Sequence, residues 1–263
     1  MQVTAHQPGT FCWVELATTD QQAARRFYEG LLGWTSQDYP IGSDETYTIT
    51  RRNGLDVGGL YALSANQRAE GVPAHWLTYI AVSSADATAD RVAEAGGTVV
   101  TKPFDVGENG RMAVLADPLG AMFALWQPKT HPGARITGEA GAVCWTELAT
   151  SDLGAVRPFY ARLFGWRFEK SPVPDMPYTI ALIGDERVCG LYEMTGDMWT
   201  GVPSHWMTYF AVDDCDERAS WASGNGATVV VPPSDIPTVG RYAVIKDPQG
   251  GVFSIIRLAE MAK

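Results

Sequence analysis

The phrase FCWVELATTD, starting at Phe11, returns from Cys144 as CWTELATSD, and three further phrases repeat in the same order. RRFYEGLLGW (from Arg25) matches RPFYARLFGW (from Arg157), GVPAHWLTYIAV (from Gly71) matches GVPSHWMTYFAV (from Gly201), and DPLGAMFALW (from Asp117) matches DPQGGVFSII (from Asp247). The offset is 132 residues for the first two phrases and 130 for the last two, so one small deletion separates the copies. A tandem duplication of this kind sets the architecture, because each copy must build the same supersecondary unit. The expected layout is a first domain over residues 1–127, a linker over 128–140 within the Pro/Gly/Thr-rich stretch from Gln127 to Gly141, and a second domain over 141–263.

Each copy is itself two similar halves. CWVELATT alternates as a strand. The following DQQAARRFYEGLLGW has Asp20 as an N-cap and a helical apolar stripe at Ala24, Phe27, Tyr28 and Leu31. Short strands are predicted around Tyr47 to Arg51 and Val57 to Leu63. The second half repeats the order: WLTYIAV as strand, SADATADRVAEAGG as a helix stopped by Gly96 and Gly97, then TVVTKPF, RMAVLAD and AMFALWQ as strands. Asp117-Pro118 to Gly120 turns the last pair. The fold class is α+β, with four modules of strand, helix and three strands.

Composition narrows the partners. With 46% hydrophobic and 19% charged residues over 263 positions, the chain has apolar mass for one large or two small cores. A net charge of −10 and no Lys/Arg cluster exclude nucleic acid and an anionic membrane as partners and favour a small molecule. MQVTAHQPGT has no basic segment followed by an apolar run, and no window holds 18 uninterrupted apolar residues, so a cytoplasmic monomer or homodimer is expected. Cys12, Cys144, Cys189 and Cys215 form no C-x-x-C pair and read as free structural thiols.

The pattern resembles the vicinal oxygen chelate superfamily of glyoxalases, bleomycin-resistance proteins and extradiol dioxygenases. The resemblance spans roughly Gly9 to Trp126 and Gly141 to Arg257. It rests on the helix with Asp20, Ala24, Phe27, Tyr28, Gly33 and Trp34, on the D-P-x-G turn, and on the βαβββ order. It implies paired βαβββ modules whose sheets curl into cups, with the ligand inside and the helices outside. Strand order is compatible with cups that close within a copy, between copies or across a dimer.

The resemblance also implies where metal ligands would stand. Those positions fall on Trp13, near Tyr61 and Tyr192, on Leu77 and Met207, and on Ala124 and Ser254. These side chains do not supply the imidazole and carboxylate donors a metal needs, so neither a metal nor a cofactor is expected. A slip of two along the strands keeps the face and would bring Glu15 with His75, or Glu147 with His205, to the ligand level.

Alternation places Cys12, Val14 and Leu16 toward the helices, and Trp13, Glu15 and Ala17 toward the cup. In the second copy Trp145, Glu147 and Ala149 face the cup. Glu15 and Glu147 read either as satisfied structural carboxylates or as ligand acceptors and general bases whose pKa a dry cup would raise. His75 and His205 read either as structural or as acid/base groups. Trp13, Tyr79, Met122, Trp126, Trp145, Met207 and Tyr209 are candidate ligand-contacting residues. Arg111 and Arg241, beside the cup mouth, could pair with an anionic group or stay solvated. Three functions compete: a metal-independent binder of an apolar or aromatic metabolite, in resistance or secondary metabolism; a lyase or isomerase of glyoxalase type that moves protons with the Glu/His pairs; and, least supported, a metal dioxygenase.

Overall fold

The computed structural model describes residues 1–42, 45–173 and 177–259. The first copy runs β1 (Phe11–Thr18), α1 (Gln21–Leu32), β2 (Thr35–Pro40), β3 (Thr46–Arg52), β4 (Leu55–Ala62), α2 (Ala65–Ala69), β5 (His75–Ala81), α3 (Ala85–Asp90), a 3-10 turn at Ala93–Ala95, β6 (Thr98–Val106), β7 (Gly110–Ala116) and β8 (Met122–Pro128). The second runs β9 (Val143–Thr150), α4 (Leu153–Phe164), β10 (Arg167–Lys170), β11 (Tyr178–Ile183), β12 (Glu186–Glu193), a 3-10 turn at Asp197–Trp199, β13 (His205–Ala211), α5 (Cys215–Gly224), β14 (Thr228–Ile236), β15 (Gly240–Lys246) and β16 (Val252–Leu258).

Each copy forms one open eight-stranded mixed sheet, in the order β2-β3-β4-β1-β5-β8-β7-β6 and its repeat β10-β11-β12-β9-β13-β16-β15-β14. Each cup therefore closes within a copy. Its seam is the antiparallel pair β1 and β5, in register at Trp13 with Tyr79, Glu15 with Leu77 and Ala17 with His75. Parallel partners β4 and β8 flank that seam.

Two local expectations are corrected. The register slips between Phe11 and Trp13, leaving Cys12 as an extra residue, so Phe11 rather than Cys12 packs on a helix-side core, that of Trp166 and Trp206, while Val14 and Leu16 lie in the other. Cys12 is instead buried with Trp13, Leu77 and Tyr79. The segment read as one helix from Ser84 is broken into α3 and the 3-10 turn, whereas its counterpart α5 runs unbroken. Thr88 is a weak helix former whose hydroxyl donates back to Ser84 O at 2.9 Å, which loosens the turn.

The helices cover the convex sheet faces, and the cover is exchanged between copies. One core joins α1, Trp34 and the inner residues of β1 and β4 to α5, β15 and β16 of the other copy. Its mirror joins α3, β7 and β8 to α4, Trp166 and β12. The polar centre of each core is a tyrosine on an aspartate. The N-cap Asp20 and the left-handed C-cap Gly33 (φ 66°) delimit α1, and its apolar stripe buries Tyr28 completely. The Tyr28 hydroxyl donates to Asp247 Oδ2 at 2.8 Å, while Asp247 Oδ1 accepts the Gln249 and Gly251 amides that form its own turn. Tyr160 donates to Asp117 Oδ2 at 3.2 Å in the mirror position. Trp76 and Trp206 donate to the same two hydroxyls.

Because each core draws on both copies, the chain should unfold in one transition. Tyr28→Phe leaves the buried Asp247 carboxylate short of a donor and should cost about 2 kcal/mol. Scanning calorimetry is expected to show a single endotherm that moves down as a whole. Two separable endotherms with only one displaced would contradict the shared cores.

Candidate functional site

The floor of each cup is one buried carboxylate. Glu15 lies on the concave face of β1, opposite Leu77 on β5 and Gly59 on β4, and is 7% exposed. Tyr47 on β3 reaches it by passing over Gly59, where a Cβ would overlap the phenol. The Tyr47 hydroxyl donates to Glu15 Oε2 at 3.0 Å and accepts Trp13 Nε1–H at 2.9 Å. The second cup repeats this over Gly190: Tyr178 donates to Glu147 Oε2 at 2.7 Å and accepts Trp145 Nε1–H at 2.9 Å. Tyr209 completes the clamp, donating to Glu147 Oε1 at 3.0 Å. In the first cup the Tyr79 hydroxyl also stabilises the Glu15 charge and lies 3.9 Å from Met112 Sδ.

Burial pushes both glutamates above their ordinary pKa, and the phenols pull the other way without cancelling it. Burial and the adjacent carboxylate push Tyr47, Tyr79, Tyr178 and Tyr209 well above 10, so they stay protonated and donate. A carboxylate with a raised pKa under an aromatic wall can accept a hydrogen bond from a ligand or take up a proton.

The remaining candidates divide by position. His75 and His205 share the concave face but sit one register step beyond their glutamates, beside Ala17 and Ala149, and their Nδ1 atoms lie 2.9 Å from Pro73 O and Pro203 O. The hydrogen bonds of the glutamates go to phenols and those of the histidine rings to the proline carbonyls, so no hydrogen bond joins either histidine to its glutamate. Trp13, Leu77, Tyr79 and Trp126 are brought together in the first cup, and Met122 is 40% exposed at the end of β8. In the second sheet Trp145 pairs with Tyr209 and Met207 with Glu147, so the three share the strand face of that carboxylate.

Arg111 and Arg241 are placed outside the cups, correcting their assignment as ligand contacts. They share a strand face with the core residues Ala113 and Leu115, and Ala243 and Ile245, so they point toward the helices. There Arg111 donates twice to Asp86 of α3, at 2.7 and 2.8 Å, and Arg241 twice to Asp216 of α5, at 2.6 and 2.9 Å.

Tyr47 and Tyr178 were missed as site residues. A signal for them existed in the repeated YTI at Tyr47 and Tyr178, which marks the same strand position in both copies. The linker residue His131 was missed as well. It packs edge-on against Trp13, with ring centres 4.8 Å apart, and no periodicity reports such a long-range contact.

The model of the Glyoxalase/Bleomycin resistance protein/Dioxygenase superfamily matches residues 10–125 and again 142–255. The chain belongs to this superfamily. CFP32 of Mycobacterium tuberculosis, provisionally named a glyoxylase, is 40% identical over 256 residues, covering 97% of each chain. The anthracycline biosynthesis protein DnrV of Streptomyces peucetius is 37% identical over 270 residues, covering 98% of this chain and 96% of its own. In fold, the chain is similar to the Mn(II)-bound glyoxalase from Novosphingobium aromaticivorans (TM-score 0.66, 15% identity, 95% of this chain and 82% of that one). It is also similar to the 2,3-dioxygenase LapB from Pseudomonas sp. KL28 (TM-score 0.64, 12% identity, 99% and 96%).

The glyoxalase from Novosphingobium aromaticivorans carries Mn(II), and the donor set here does not fit a metal. Among the described residues no three of His, Cys, Asp and Glu converge. The strand positions around each floor hold Trp13, Leu77 and Ala124 in one cup and Trp145, Met207 and Ser254 in the other. One glutamate per cup remains, and phenols occupy both oxygens of Glu147.

The raised pKa of Glu147 makes its ionisation unfavourable to the fold. For a carboxyl whose folded pKa exceeds its ordinary 4.5, that contribution is intact below 4.5 and is lost as pH rises through the folded value. Glu147→Gln carries no such loss. Its stability relative to the parent should therefore rise with pH across this window, by up to about 1.4 kcal/mol per pH unit. Melting temperatures measured from pH 4 upward check this, and a pH-independent difference would contradict it.

Proposed function

We propose that this protein binds a small, largely apolar or aromatic metabolite in a cup, without the usual metal triad, in resistance or secondary metabolism. The observation that carries this reading is the wall above Glu147. Half-buried Trp145 and Met207 face a carboxylate held by Tyr178 and Tyr209, an apolar surface with a few convergent polar groups. The superfamily is named for proteins that act on or sequester small molecules, and the name of DnrV associates a close match with a polycyclic aromatic product.

A second reading has its own observation: the raised pKa of Glu15 and Glu147 suits a general base next to a carbonyl, as in a lyase or isomerase of glyoxalase type. The name of CFP32 points the same way. In this reading the glutamate would take the proton, and a phenol turned from it would hold the developing oxyanion.

Glu147→Gln and Glu15→Gln separate the two. A binder keeps affinity for its aromatic ligand within about tenfold in both variants, measured by isothermal titration. A proton-transfer enzyme loses turnover by roughly 10²–10⁴ in the variant of the working cup. Trp145→Ala should weaken binding by about tenfold or more through the lost aromatic surface. Unchanged affinity would remove Trp145 from the site.

A further inference from the structure

We infer that only the second cup admits ligand, because the linker fills the first, and that this cup selects a neutral hydroxyl-bearing aromatic over an anionic one. The inference rests on the binding reading above and extends it to a stoichiometry and a ligand class.

The first cup is shut by chain from its own protein. β1 and β4 pair only from Glu15 and Gly59 onward, so their earlier ends splay apart. The linker enters this gap. Ala134 N–H donates to Cys12 O and Arg135 N–H to Asp56 O, both at 2.7 Å, one contact on each side of the split. Ala134 is buried in the same cluster as Trp13, Leu77 and Tyr79.

The His131 ring stands edge-on to Trp13 and Trp126, Trp126 Nε1–H donates to His131 O at 2.9 Å, and His131 Nε2 lies 3.7 Å from Asp56 Oδ2. From outside, the N-terminal segment pins the linker: Val3 N–H donates to Arg135 O at 2.9 Å and His6 Nε2 lies 2.8 Å from Ala134 O. A ligand entering here would have to displace a hydrogen-bonded strap.

The second cup holds the same floor, and among the described residues no strap crosses it. Ala259 N–H donates to Val239 O at 2.8 Å, as Lys129 N–H donates to Asn109 O at 3.0 Å in the first copy. Trp145 and Met207 are half-buried where Trp13 and Leu77 are 7% and 6% exposed. Two lining positions become more polar, Tyr242 in place of Met112 and Ser254 in place of Ala124, and Ile256 replaces the strap-bearing Trp126.

The ligand class follows from the carboxylate. An ionised carboxylate offers about four acceptor sites, and Tyr178 and Tyr209 use two. The remaining capacity suits a donor such as a phenolic hydroxyl. An anionic ligand would meet a like charge in a poorly solvated site, which is strongly unfavourable. Trp145 and Met207 supply apolar contact for a flat ring system.

The test uses the full chain with 1,8-dihydroxyanthraquinone and anthraquinone-2-carboxylate as probes, followed by equilibrium dialysis and tryptophan quenching. The expected result is one equivalent of the dihydroxy probe per chain, with the carboxylate bound at least tenfold more weakly. Met207→Trp should abolish binding and Leu77→Trp should leave it intact. The milder Trp145→Phe should remove ligand-induced quenching that Trp13→Phe retains, which guards against a bulky variant that fails to fold. Two equivalents per chain, loss of binding on filling the first cup alone, or preference for the carboxylate would overturn the inference while leaving the binding reading standing. Absence of binding by either probe would overturn both.

Discussion

The hydrogen bond from Tyr28 to Asp247, with its mirror from Tyr160 to Asp117, is the interaction on which the rest depends. A curled sheet has one apolar convex face, and that face needs helices to keep it from water. In this chain the helices of each copy complete cores that include strands of the other. The aspartate contributes twice: one oxygen organises its own strand-to-strand turn, and the other receives a phenol from the partner copy. Burial raises its pKa, while the turn amides and the phenol hold its charge. Local turn geometry and the docking of two copies are thereby tied to a single side chain.

With the convex faces committed to the shared cores, the concave faces are free to diverge. Both keep the same floor, in which a tyrosine crosses a glycine to reach a glutamate and a tryptophan caps the phenol. What distinguishes the cups is connectivity. Chain must pass from β8 to β9, and that passage lies in the first cup, between strands that have already splayed. The asymmetry thus comes from where the linker must run more than from a difference between the two floors.

Much of the fold is legible in local stretches of the sequence. Asp20, the stripe from Ala24 to Leu31 and Gly33 mark a helix by local rules of capping and period. Alternation along WVELA correctly puts Glu15 on the concave face. Cys12 departs from that alternation because a bulge is set by cross-strand register, which a single strand does not reveal. Tyr47 escaped notice because its role needs Gly59 on the neighbouring strand to leave room. Arg111 looked available to a ligand until the strand face it occupies was known, and that face belongs to Asp86 of α3.

The sequence by itself determined the tandem duplication, the α+β modules and the pair of inward-facing glutamates, since repeats, caps and periods of two and 3.6 are written in short stretches of chain. Only the tertiary structure decided that each cup closes within a copy, that the cores are exchanged between copies, that phenols rather than histidines hold the glutamates, and that His131 and Ala134 pack against Trp13. Those are contacts between residues far apart in the chain, and their energies depend on packing and desolvation, which have no local signature.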